Sequence, residues 1–334
     1  MNNFEVKEPI LNTPYEEPAL HWLIEEGRPP EKKQGRRQAG YFYRDPKAPV
    51  TSDEHEARGQ WVPLELVNLT RERMNDWRQQ HYPGVTRITL ELLTYWRHEG
   101  RQHRLFFAHL EAVETIIFLH EARKDFLQGI DIPVDEISDD RRANGYNAFK
   151  RYACKMATGS GKTTVMGMLA AWSILNKVQN KNDGRFSDVV LVVCPNITIR
   201  NRLQELDPTR GEASLYRTRD LVPIHLMSDL IRGRVLMTNW HVFEPQGIQV
   251  GGISAKVSKA GMPVRMKETI TIGAKTTTAR GRRYLTPDEL DRQIAAGLIS
   301  ILSEERDKQG NLKKVSVESV KYVESDTAMV NRVI

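Results

Sequence analysis

The residues best suited to chemistry in this chain form the run Met-Ala-Thr-Gly-Ser-Gly-Lys-Thr-Thr at positions 156–164. The two glycines allow backbone conformations that a Cβ would forbid, so successive N–H groups can point at a phosphate. The lysine supplies a cation for the β- and γ-phosphates of a nucleotide, and a threonine hydroxyl after it is a typical Mg²⁺ ligand. The pattern therefore predicts a phosphate-binding loop for ATP and Mg²⁺, with Thr163 as the metal ligand. The predicted nucleotide-binding residues here are Thr158, Gly159, Ser160, Gly161, Lys162, Thr163 and Thr164.

Such a loop must be positioned by a strand before it and a helix after it, because the helix N-terminus adds the positive end of its dipole. Residues 152–154 predict a short buried strand, and the apolar run 164–178 predicts the helix. Met156 stands where the general pattern has a first glycine, so a glycine-rich turn before a lysine is the alternative. The order of strand, glycines, Lys-Thr and apolar helix favours the phosphate loop.

The surrounding pattern indicates an α/β domain. Apolar residues recur at three- and four-residue spacing over 105–126, which predicts a helix, and another helix is expected near 67–80. The β-branched run 188–194 and the run 234–237 predict strands of a parallel sheet that helices cover on both faces. Both cysteines, Cys154 and Cys194, lie in apolar runs and are expected to be buried, reduced thiols.

Beyond residue 242 the pattern changes. Alternation over 264–272 predicts a strand, and Thr286-Pro287-Asp288-Glu289 predicts a capped helix that continues to about Arg306. A turn at 309–311 and a strand over 315–323 follow. Basic residues that belong either to a solvated hairpin or to a nucleic-acid surface are Lys256, Lys259, Lys267, Lys275, Arg280, Arg282 and Arg283.

The first 90 residues are rich in proline, charge and aromatics and show little periodicity. They are expected to be extended segments packed on a larger body. The Arg/Tyr/Phe cluster in the stretch 36–46 is a partly exposed packing arm on one interpretation, and a surface that stacks on nucleic acid on the other.

Composition narrows the class of protein. The chain has 334 residues, a net charge of +6 and a pI of about 9.2, which permits nucleic-acid binding without requiring it. Residues 1–9 lack the apolar core of a secretory signal, and no apolar run approaches the roughly 20 residues that span a bilayer. We expect a cytoplasmic protein.

Three blocks together resemble the restriction (Res) subunit of type III restriction–modification enzymes, a superfamily 2 DNA translocase fused to a nuclease. Residues 157–163 resemble motif I, 193–203 resemble motif Ia, and 235–241 resemble the Thr-Asn-x-His block at motif Ib. His109 stands where the adenine-sensing motif of these proteins has glutamine, although it also fits the buried face of an amphipathic helix. The DNA-contacting residues implied by the resemblance are Pro195, Asn196, Arg200, Arg202, Thr238, Asn239 and His241.

The resemblance implies a P-loop, RecA-like motor domain that binds double-stranded DNA and a DNA methyltransferase (modification) subunit. It divides the chain into an N-terminal extension (1–95), the first part of ATPase domain 1 (96–245) and a basic α+β insertion (246–334). The D-E-x-[HD] box that completes such an ATPase does not follow; Asp53-Glu54-His55-Glu56 mimics it but precedes motif I. No catalytic residue is therefore visible.

We accordingly expect the N-terminal part of a DNA-dependent ATPase, helicase-like translocase and endonuclease, incomplete at its C-terminal side and inactive by itself. Another superfamily 2 enzyme, such as a type I restriction motor or a repair helicase, is a second interpretation. A non-catalytic DNA-binding protein, with affinity from the motif Ia arginines and residues 256–283, is a third.

Overall fold

A computed structural model describes residues 8–24, 28–44, 60–134, 136–143, 145, 147–148, 150–239, 262–279, 282–296, 298–307 and 310–323. The chain divides into two compact units, Met1–Val190 with Leu203–Val235, and Leu191–Arg202 with Leu236–Ile334. The three segments expected from the sequence, 1–95, 96–245 and 246–334, stay a prediction. The two compact units are defined by contacts between residues and do not test boundaries that were drawn from motifs.

The strands are β1 (Leu20–Leu23), β2 (Glu31–Gln34), β3 (Gly40–Tyr43), β4 (Gln60–Pro63), β5 (Val189–Cys194), β6 (Arg234–Asn239), β7 (Met262–Ile272), β8 (Thr277–Ala279), β9 (Arg282–Leu285), β10 (Ile299–Arg306) and β11 (Leu312–Val323). The α-helices are α1 (Glu65–Gln79), α2 (Arg87–Arg97), α3 (Phe107–Glu121), α4 (Asp139–Ala143), α5 (Lys162–Gln179), α6 (Ile197–Arg202), α7 (Leu215–Thr218), α8 (Met227–Leu230) and α9 (Pro287–Ala295). Short 3₁₀ turns occupy Leu203–Leu206, Pro208–Ala213 and Ile224–Leu226.

The core of the first unit is built around α5, the helix predicted to follow the phosphate loop. Its apolar residues surround the helix, and such a helix is stable only when other elements bury it. Helices α2, α3 and α8 pack on it, and Met168, Ile174 and Leu175 have no exposed surface. Gly167 permits close packing, because a Cβ there would lie 3.0 Å from a Leu215 methyl group, which would have to shift.

Two buried carboxylates connect the helices of this unit. Glu114 on α3 is 1% exposed and lies 2.6 Å from the guanidinium of Arg78 on α1; Arg97 on α2 binds the same carboxylate. Glu121, at the end of α3, accepts hydrogen bonds from Thr89 Oγ1 and Trp172 Nε1 at 2.6 and 2.7 Å. Because each of these carboxylates has partners on other helices, the network fixes how the helices meet.

The two predicted strands at 188–194 and 234–237 are present as β5 and β6, which pair in a two-stranded sheet. The expectation that helices cover both faces is wrong for β5. Val192 and Cys194 are buried, whereas Leu191 and Val193 are 39% and 47% exposed. Alternate residues of a strand point to opposite faces, so one face of β5 is covered and the other is open.

The second unit contains a five-stranded sheet in the order β10-β11-β7-β9-β8. All neighbouring pairs are antiparallel except β7 and β9. Ile270, Leu285, Val315 and Val317 form its core together with Leu290 of α9. The strands predicted at 264–272 and 315–323 are confirmed.

Three predictions about local structure are wrong. Residues 152–154 form no strand, because no described strand pairs with them, and Cys154 is consequently exposed. The helix that begins at Thr286 ends at Ala295 instead of near Arg306. Residues 299–306 pair with β11 instead, so pairing in the sheet outweighs the helical spacing of Ile294, Leu298 and Ile301.

Other predicted helices are confirmed: 67–80 is α1, and 105–126 contains α3. The extended N-terminal segments form two antiparallel ribbons, β1–β2 and β3–β4. Among the described residues, no helix has both the length and the apolar character needed to cross a membrane.

Candidate nucleotide-binding site

The predicted phosphate loop has the backbone that its glycines suggest. Gly159 and Gly161 have φ values of +81° and +82°, in the left-handed region that favours glycine. Gly161 is the N-cap of α5, so Lys162 and Thr163 lie in the first turn of a long helix. The N–H groups of this first turn have no acceptor within the helix, which makes them available to an anion.

The side chains of Ser160 and Lys162 in the loop contact the turn itself. Lys162 is exposed, and its ammonium group donates to the carbonyls of Ala157 and Met156 at 2.9 and 3.3 Å. Ser160 closes the turn through its hydroxyl, which donates to the Ala157 carbonyl at 2.7 Å. Thr163 is half-buried, whereas Thr164 is buried in the core beneath the loop. The lysine thus lies over the turn and is exposed to solvent.

His109 is held directly against this loop. Its Nε2 donates to the Ser160 carbonyl at 2.8 Å, and its Nδ1 accepts from the Phe106 N–H at 3.2 Å. A Cβ on Gly161 would lie 2.1 Å from Nε2. Position 161 therefore needs glycine for two reasons, its backbone conformation and the imidazole beside it.

These contacts determine the protonation state and the tautomer of the His109 imidazole. Burial lowers the pKa of His109 below its ordinary value of 6.5, and Arg219 acts in the same direction, although the bond to Ser160 opposes them. A neutral ring with its proton on Nε2 satisfies both bonds, because Nδ1 must then accept. Phe106 stacks on the ring at 5.0 Å between centroids. Both ring nitrogens hydrogen-bond to backbone groups in this structure, and an adenine contact of His109 stays a prediction.

A cavity of about 530 Å³ lies beside the loop. It is lined by apolar side chains of α1 and α3, by Ser160 and by the segment 151–157 that was expected to be a strand. Arg36, Arg71 and Glu111 form its polar wall; Arg36 makes a bidentate ion pair with Glu111. No sequence pattern indicates this wall, because Arg36 and Glu111 are 75 positions apart.

The predicted DNA-contacting residues near motif Ia surround α6. Pro195 and Asn196 separate β5 from this helix, and the Asn196 side chain accepts from the Ile199 N–H at 2.9 Å as its N-cap. Arg202 is exposed, whereas Arg200 is half-buried with an Nε that has no hydrogen-bond partner in the described part of the chain.

The predicted motif Ib residues are less accessible. Thr238 is 6% exposed, so its hydroxyl is not available at the surface. Asn239 is half-buried, and its Oδ1 finds no partner among the described residues. His241, like Lys256, Lys259 and Arg280 of the basic cluster, lies outside the described residues.

The chain is thus a mixed α/β protein in which two left-handed glycines and an exposed lysine stand at the start of a buried helix. Residues 111–214, about a third of the chain, match the family model of the type III restriction enzyme, res subunit. The match confirms the resemblance to Res subunits over this segment, and it implies a P-loop NTPase fold.

The matched segment contains motifs I and Ia, begins just after His109 and ends before β6. Neither the curated proteins nor the solved structures give a match.

Proposed function

We propose that this chain is the ATP-binding N-terminal part of a DNA-dependent ATPase and translocase of a type III-like restriction endonuclease. The observation that carries the proposal is the loop geometry within a segment that matches the Res-subunit family. Residues 1–95 would then be an N-terminal extension, 96–245 the first part of a RecA-like domain 1, and 246–334 an insertion. The methyltransferase (modification) subunit is the proposed protein partner.

The residues of this chain would each perform a limited task. Backbone N–H groups of residues 159–163 bind the phosphates, Lys162 exchanges its two carbonyl acceptors for the β- and γ-phosphates, and Thr163 supplies a hydroxyl to Mg²⁺. The metal neutralises phosphate charge when it is bound. His109 is a positioning residue, because its bonds to Ser160 and Phe106 hold the loop against α3.

Hydrolysis needs carboxylates that hold the metal and orient water, and no D-E-x-[HD] box follows the loop in these 334 residues. The open face of β5, and the lack of any described strand that pairs with residues 152–154, support the proposal that further strands complete this sheet. We therefore propose that the chain binds nucleotide but does not turn it over by itself.

A phosphate-release assay on the purified chain, with and without duplex DNA, tests whether the chain hydrolyses ATP by itself. We expect release at the background rate in both cases. DNA-stimulated release by the wild-type chain that disappears in Lys162→Ala would refute the proposed inactivity while supporting the proposed site.

DNA binding through motif Ia is tested separately. Arg202 is exposed and is expected to contact a phosphate, so Arg202→Gln should weaken duplex binding for all sequences alike and reduce the salt slope of log K by about 0.9. Arg210→Gln is the control, because this exposed arginine lies just beyond motif Ia. Equal effects of the two variants would contradict a specific role for Arg202.

A further inference from the structure

The β3–β4 ribbon exposes aromatic side chains that the nucleotide site does not use. Tyr41 and Phe42 are 47% and 44% exposed, although burial of large aromatic rings is one of the main contributions to protein cores. Both line a groove of about 540 Å³, here called the ribbon groove, between this ribbon and residues of β1. Exposed aromatic groups gathered at one groove mark a binding site more often than a packing defect.

One wall of the ribbon groove is rigid. The ring of Trp61 lies on the backbone of Gly40, where a Cβ would be only 2.3 Å from it. Phe42 meets Trp61 edge to face at 5.1 Å, and the guanidinium of Arg37 lies 4.6 Å from the centre of the same ring. The neighbouring aromatic and cationic groups are therefore held in place before any ligand arrives, which reduces the entropy lost on binding.

The charge of the groove is positive. Its described lining residues include Arg36, Arg37 and Arg71 but no carboxylate. Arg36 and Arg71 share the single carboxylate of Glu111, which Arg71 reaches only at 4.0 Å. Arg37 has no ion pair within the described part of the chain. Even with the exposed Glu17 near Arg71, cations outnumber anions, so the groove suits an anionic ligand.

An aromatic base beside a phosphate matches both the exposed aromatic rings and the positive charge of the ribbon groove. The groove volume of about 540 Å³ falls within the range of sites that hold one nucleotide-sized group. Paired bases of a duplex hide their faces in the stack, whereas single strands offer each face to an aromatic side chain. We propose that the ribbon groove binds single-stranded nucleic acid, with a base stacked on Tyr41 and the adjacent phosphate on Arg37 and Arg71. This site lies outside the phosphate loop and does not depend on it.

Fluorescence anisotropy with a labelled oligothymidylate of about 12 nucleotides and with a duplex of the same length tests the proposal on the full chain. The single strand is expected to bind more tightly than the duplex. Tyr41→Ala should weaken single-strand binding by about tenfold, the effect of losing one stacked base. Tyr43→Ala is the matched control, because Tyr43 is 52% exposed on the same strand and does not line the groove. Since both tyrosines are largely exposed, neither variant should alter folding, which circular dichroism can verify.

The phosphate contact is tested by the salt dependence. Arg37→Gln should reduce the slope of log K against log salt by about 0.7, whereas Lys33→Gln, outside the lining and paired with Glu31, should leave it unchanged. Equal loss in Tyr41→Ala and Tyr43→Ala, equal binding of duplex and single strand, or no binding of the oligonucleotide would overturn the proposal. Free thymidine monophosphate is a second competitor. If it competes as strongly per nucleotide as the oligonucleotide does, the groove is a mononucleotide site, and the proposal is overturned as well.

Discussion

Alanine at Gly161 is expected to destabilise the protein more than alanine at Gly159, although the two residues have almost the same φ, +82° and +81°. A left-handed backbone disfavours any residue with a Cβ by about 1–2 kcal/mol at both positions. Only at Gly161 would the new methyl group meet the imidazole of His109, 2.1 Å from Nε2; at Gly159 nothing lies within 4 Å. Displacing the ring adds about 1–3 kcal/mol, and its lost bond to Ser160 adds about 1 kcal/mol.

The expected loss in the free energy of unfolding is therefore about 3–6 kcal/mol for Gly161→Ala and about 1–2 kcal/mol for Gly159→Ala. Urea unfolding followed by tryptophan fluorescence measures both, and His109→Ala in each background completes two double-mutant cycles. We expect a coupling energy of about 0.5–3 kcal/mol between positions 109 and 161 and almost none between 109 and 159. Equal losses for the two alanine variants, or additivity in both cycles, would refute the contact between His109 and Gly161.

Three further predictions concern charge and helix capping. Because the pKa of His109 is lowered in the folded state, the unfolded state takes up its proton first, and stability should fall as the pH drops below the ordinary value of 6.5. His109→Gln keeps a donor and an acceptor but does not titrate, so it should remove this part of the pH dependence of the free energy of unfolding, measured by urea titration. An unchanged pH profile in the variant would contradict the lowered pKa of His109. Glu114→Gln leaves Arg78 and Arg97 without their carboxylate and should lower the free energy of unfolding by about 3 kcal/mol; a loss below about 1 kcal/mol would mean that the cluster is a solvent-screened pair. Thr286→Ala should remove the N-cap bond of α9, with a loss of about 1 kcal/mol that Thr286→Ser restores, and no difference between these two variants would contradict the cap.

The sequence was sufficient wherever local chemistry determines structure. The left-handed glycines, the helix after Lys162 and the cap at Thr286 depend on neighbouring residues, and all three are present. The strand at 189–194 was predictable from its β-branched run, but its open face was not, because coverage depends on what the rest of the fold places beside it.

The predictions that were wrong also concern structure that depends on residues far apart in the sequence. Residues 152–154 have a strand-like composition, yet a strand requires a partner, and no described strand pairs with them. Residues 299–306 have helical spacing, yet β11 offers them a ladder of backbone hydrogen bonds. For His109 the sequence predicted an adenine contact, which stays a prediction, or packing in a helix, whereas its hydrogen bond to Ser160, 51 positions away, is visible only in three dimensions.

Equilibrium binding of Mg²⁺ and a fluorescent ATP analogue tests the central claim most directly. The wild-type chain should bind the nucleotide, ATP should displace it, and Lys162→Ala should abolish binding. The control variant Lys177→Ala, at the far end of the same helix, should bind normally. A wild-type chain that does not bind, or a Lys162→Ala variant that binds as well as wild type, would contradict the account.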